Sequence, residues 1–147
     1  MSAEGALLLE MLDAAYHRKG WHGTTLRGSL RGLQPEAALY RPQPGRHNIW
    51  ELAVHAAYWK YVVWRRLTGN RRGSFPMKGS NWFPSPDSID VAEVVQLLDS
   101  EHQRLRAAIA ALPALPASGP TRAMLYGIAA HDLYHTGQIQ LLKRLRS

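Results

Sequence analysis

The chain has no cysteine. Disulfide scaffolds, thiolate nucleophiles and cysteine-based zinc sites are therefore excluded, and any metal must be held by His, Asp, Glu or water. No apolar run approaches the roughly 18 residues needed to span a bilayer, so no membrane partner is expected. The first 30 residues carry Glu4, Glu10 and Asp13 and lack a long apolar stretch with a cleavage site. That argues against a signal peptide and for a soluble cytoplasmic protein. Acidic residues are scarce, 11 against 18 Lys and Arg, for a formal charge of +7. The excess invites a nucleic-acid reading. Yet the basic residues are dispersed, with small clusters only at Arg65–Arg66, Arg71–Arg72 and Lys143–Arg146. The last cluster closes a helix, where cations meet the negative end of the dipole. Solvated surface outweighs a nucleic-acid footprint, and a basic rim drawing a small anionic substrate stands between the two.

What is present is globular: 147 residues, 46% hydrophobic and 20% charged, most simply one domain over 1–147. Leu7, Leu8, Met11, Leu12, Ala15 and Tyr16 recur at i, i+3 and i+4 and predict an amphipathic helix over 4–19. Two glycines in Lys19-Gly20-Trp21-His22-Gly23 interrupt it, and Thr24 or Thr25 can cap a restart bearing Leu26, Leu30 and Leu33. The break is either a simple bend or a device that sends Trp21 and His22 toward a pocket. Residues 34–47 are proline-rich and predicted to lie outside regular structure. Asn48 with Glu51 reads as a capping box opening a helix over 49–67. Its Trp50, Tyr58, Trp59, Tyr61 and Trp64 suggest burial on more than one face, in a bundle interior or a subunit contact.

The connection over 69–88 is long for a compact domain, and Phe75, Trp82 and Phe83 favour one that docks against the body. Asp90 with Glu93 reads as a second capping box, opening a helix over 91–112 that Pro113 closes. A fourth helix is expected over 121–146. With no strand pattern, the architecture predicted is an all-α four-helix bundle with a long connection between its second and third helices.

Chemistry concentrates in Gly127–Leu142, GIAAHDLYHTGQIQLL. His131 and His135 stand one helical turn apart, about 40° around the axis and about 6 Å along it, so both rings can converge on one ion. Two ligands do not close a site. His55, amid Leu52, Trp59 and Val62, is the candidate third, with His102 between Leu98 and Leu105 a fourth possibility. Three imidazoles and an open position match a catalytic-type zinc site, although imidazole also suits nickel, copper and iron. The Glu of H-E-x-x-H is missing, which removes a zinc-protease reading. Gln138 can reach the pair or a substrate, and Tyr134 can edge the pocket. Glu51 could orient His55, but helix capping competes for it; Asp132 is expected to turn toward basic residues. Gly127 inside a helix implies either a close helix crossing, the favoured reading, or room above the site.

HDLYHTGQIQLLKR at 131–144, NIWELAVHAAYWKY at 48–61 and Trp21-His22-Gly23 together resemble the DinB-like (DinB/YfiT) metal-dependent proteins, over essentially the whole chain. The resemblance implies an up-down-down-up bundle and a divalent metal, zinc or nickel foremost, on His55, His131 and His135. It further implies a homodimer and, from characterised relatives, a low-molecular-weight thiol as co-substrate of an S-transferase acting on electrophilic small molecules. Trp21, Trp59, Tyr134 and Gln138 are then the candidates for contacting substrate. The alternative is a non-enzymatic stress-response or binding module whose metal is structural or vestigial.

Overall fold

The computed structural model describes residues 1–147 as six helices: α1 Ala3–Tyr16, α2 Leu26–Ser29, α3 Pro35–Leu39, α4 Ile49–Thr68, α5 Val91–Ala110 and α6 Pro120–Arg146. The only β-type pairing is an isolated bridge between Gly20 and Gly23. The four long helices form a bundle in which α4 packs on α5 and α6, and α1 packs on the same two. No helix is long and apolar enough to cross a membrane.

Helix boundaries follow local chemistry. α4 opens with the expected capping box: Asn48 Oδ1 accepts from the Glu51 amide at 2.8 Å, and Glu51 Oε1 accepts from the Asn48 amide at 3.2 Å. It ends at Gly69, whose φ of 73° is a left-handed cap open to glycine at no steric cost. The box expected on α5 does not form, and Asp90 acts as a simple N-cap. Asp90 accepts from the Ala92 amide, and no Glu93 side-chain bond answers it. Residues 34–47 also depart from expectation, because Pro35 starts the short α3 rather than preventing it. Proline at the first helical position forfeits only an amide that would have had no partner. α1 stops at Tyr16, earlier than the predicted 19, and Thr25 caps α2 through the Gly28 amide.

The interior is not one apolar mass. One cluster gathers the first half of α4, Leu26, Leu30, Leu98, Phe83 and the end of α6 around Ile139 and Leu142. A second joins α1 to Val63, Leu105, Ile109 and the start of α6 at Leu125–Ala129. Between them lies a layer of buried polar side chains: Asp13, His55, Lys60, Glu101, His102, Asp132, His135 and Thr136. Lys60 and Asp132 are both fully buried, with Nζ 2.5 Å from Oδ2. Lys60 also donates to His102 Nδ1 at 3.3 Å, and His102 Nε2 lies 3.1 Å from Asp13 Oδ1. Arg106 closes the chain on Asp13 at 3.0 Å. All four long helices meet in this network.

The aromatics of α4 are accounted for within the chain. Trp50 and Tyr61 are buried, and Trp59 and Trp64 pack against the second apolar cluster. They therefore give no support to a subunit contact. Gly127 does not mark a close crossing either, since a Cβ there would meet nothing within 4 Å.

Two stability outcomes follow from these contacts. Lys60→Met strands Asp132 in the interior and should cost about 3–5 kcal/mol in urea unfolding, whereas Lys60→Met with Asp132→Leu should recover most of it. A double variant no more stable than the single one would show that the pair is not the source of the loss. Gly127→Ala should raise stability by about 0.5–1 kcal/mol, because it restores helix propensity in open space. A lowered melting temperature would mean that something beyond this chain packs on that face.

Candidate metal centre

His55 projects from the middle of α4, and His131 and His135 from consecutive turns of α6. The structure brings all three together. His131 Nε2 is 3.2 Å from His55 Nε2 and 3.1 Å from His135 Nε2. Three nitrogens each about 2.0–2.1 Å from a tetrahedral ion would stand about 3.3 Å apart, close to this spacing.

The second ring nitrogens explain which atoms face inward. His55 Nδ1 lies 2.8 Å from the Asn81 carbonyl, which can only accept, so this nitrogen carries the proton. His135 Nδ1 lies 2.6 Å from Gln138 Oε1 and likewise donates. Both Nε2 atoms are then bare lone pairs aimed at the same point. His131 Nδ1 is buried and has no partner, so its ring offers at most one proton to two acceptors. A cation satisfies all three at once, and the donor set fits a borderline-soft divalent ion. Burial disfavours the charged rings, holding His55 down at about 4 and His131 at about 3. Burial lowers His135 too, against the Gln138 bond. The triad is therefore neutral near pH 7, the state that ligates metal.

The long loop seats the third ligand. Asn81 has φ 67°, a left-handed conformation that Asn tolerates better than most residues. This turns its carbonyl to His55 and its side-chain oxygen to Trp59 Nε1 at 2.9 Å. Trp82 stacks on His55 with ring centroids 3.8 Å apart, and His47 stacks on the other face of Trp82 at 3.6 Å. Neither Asn81, Trp82 nor His47 was singled out from sequence as a site residue. The signal that could have found Asn81 is its place among turn formers, Gly79-Ser80-Asn81.

A cavity of about 770 Å³ opens beside the triad, and of the three histidines only His135 lies on its wall. Tyr134 and Gln138 line it. Trp59 does not; it packs edge-on to His55 and His131. Trp21 is fully exposed and lies on no part of this wall, so the break after α1 is a bend rather than a pocket device. Its neighbour His22 bonds the Ala14 carbonyl at 3.0 Å. Glu51 stays with capping and with Arg41, whose guanidinium contacts it at 2.6 and 2.9 Å. Burial alone would raise Glu51, but Arg41 and the Ser85 and Asn48 amides outweigh it and leave the carboxyl at about 2.

A second set of metal-type donors, Asp13, His17 and His102, also lies close together. Its chemistry does not suit a cation. His102 uses one nitrogen on Lys60 and the other on Asp13, and Arg106 holds both Asp13 oxygens. The local positive charge is already supplied by protein.

The model of the family described as the DinB superfamily matches residues 20–139. No curated protein and no solved structure matches the chain.

The depressed histidines set a pH dependence. From their ordinary value of 6.5 downward, the unfolded chain takes up protons that the folded metal-free protein cannot. Stability should therefore be full above about 6.5 and fall as pH drops toward the folded values. Between pH 6.5 and 5 the melting temperature of metal-free protein should decline, and His55→Gln with His131→Gln should reduce that slope, leaving the share of His102 and His135, which burial also lowers. An unchanged slope in the double variant would remove these rings as its origin.

Proposed function

Because the chain belongs to the DinB superfamily, we propose that it is a metal-dependent enzyme joining a low-molecular-weight thiol to an electrophilic small molecule. The observation that carries this reading is the convergence of three Nε2 atoms, two of them stripped of their proton by partners on the far side of the ring. His55, His131 and His135 would hold the ion, with zinc and nickel the metals best matched to three imidazoles. When bound, a divalent ion with an open position favours the thiolate form of a thiol near neutral pH.

The chain's own residues do the rest. Asn81 and Gln138 fix ring orientation, and Trp82 covers one face of His55 against water. The absence of cysteine means that no protein thiol competes for the open position. The cavity beside His135 supplies room for two small reactants. The up-down-down-up helix order implied by the resemblance belongs to the same reading.

A structural role for the ion is the competing account, but the two apolar clusters hold 15 and 10 buried hydrophobic residues drawn from several helices. Chelation should therefore leave helicity nearly intact and lower the melting temperature by only a few degrees; collapse of the circular-dichroism signal would favour the structural role. Purified protein should carry one metal ion per chain, and His131→Ala should carry none by elemental analysis. Stoichiometric metal in that variant would defeat the assignment. With metal present, monochlorobimane should be conjugated to at least one cellular thiol, and the chelated protein should lose that activity.

A further inference from the structure

The cavity beside the triad has a one-sided charge. None of its lining residues is Asp or Glu, while Arg46 and His47 both line it, His47 with its Nδ1 3.5 Å from Glu51 Oε1. The Arg46 guanidinium takes part in none of the side-chain ion pairs of the fold: Arg41, not Arg46, neutralises Glu51. Arg41 also donates to the Arg46 carbonyl at 2.7 Å. The turn Gln43-Pro44-Gly45-Arg46 is closed by the Arg46 amide on the Gln43 carbonyl at 3.2 Å. Proline at its second position and Gly45 at φ 80° suit a type II turn, so the backbone beneath Arg46 is held from two sides. Across the cavity, Gln138 gives its oxygen to His135, which leaves its amide N–H groups as donors. Tyr134, Leu141, Leu142 and Leu145 supply an apolar wall along α6.

We propose that this cavity binds a small amphipathic carboxylate, its head on the Arg46 guanidinium and its apolar body along Leu141, Leu142 and Leu145. The planar fork of arginine matches a carboxylate with two parallel hydrogen bonds. One permanently charged cation in the wall matches a single negative charge better than a dianionic phosphate. The inference rests on reading the triad as a centre that faces substrate, since the same cavity reaches the metal ligands through His135.

The test is calorimetric titration with 4-phenylbutyrate and its neutral amide, on zinc-loaded and metal-free protein. The acid should bind at least about tenfold more tightly than the amide, the scale of a charge-assisted hydrogen bond. Arg46→Gln should bring the two within about twofold without changing metal content, and Arg46→Lys should restore part of the preference. Equal affinities, no saturable binding of the acid, or a preference that survives Arg46→Gln would each overturn the proposal. A preference that survives Arg46→Gln but disappears on metal removal would place the carboxylate at the triad instead. Metal content of His131→Ala is read separately. A failed triad therefore shows as retained metal, and a failed anion site as an Arg46-independent titration.

Discussion

The ion pair between Lys60 and Asp132 is the constraint on which the rest of the structure depends. Both side chains are fully buried, and neither can turn to water without opening the bundle. A buried charge left without its partner is far costlier than a misplaced apolar contact. The pair therefore ties one turn of α4 to one turn of α6. Asp132 adjoins His131 in sequence, and Lys60 lies a little over one turn beyond His55. The register that satisfies the charges is the register that brings the three imidazoles to one point.

α6 does two jobs with neighbouring residues. A step of one residue turns a helix by about 100°, so His131 and His135 turn toward His55 while Asp132 and Thr136 look into the bundle. Asp132 and Thr136 belong to the buried polar layer, and Thr136 returns its hydroxyl to the Asp132 carbonyl at 2.6 Å. Two apolar clusters, each drawn from several helices, supply the rest of the interior. The site can thus be polar and open on one side without weakening the core.

The 69–88 connection completes what the helices begin. Its Ser80–Phe83 stretch lies against α4, with Phe83 in the core, Trp82 on His55 and the Asn81 carbonyl on the far side of the same ring. The distal nitrogen of His135 is reached from its own helix by Gln138, whereas that of His55 is reached by this loop, which gives a long crossover a physical use.

Periodicity and caps were enough to place α4, α5 and α6 to within two residues, because capping and amphipathic spacing act over a single turn. The same locality made the His131–His135 pair legible, and the apolar setting of His55 marked it as an inward-facing partner. Sequence put His55 third and His102 as a fourth possibility, although both sit mid-helix among apolar neighbours. Packing decided: His102 stacks on Tyr16 at 4.1 Å and bonds Asp13 and Lys60, while His55 meets the pair on α6. Trp21 shows the converse limit, an aromatic whose exposure no local rule could reveal. Asn81, Trp82, His47 and Arg46 reach the site from connections, and their places depend on how the loops close over distance. Spacing along one helix is a property of the chain, whereas which helix faces it, and which loop covers it, is a property of the packed whole.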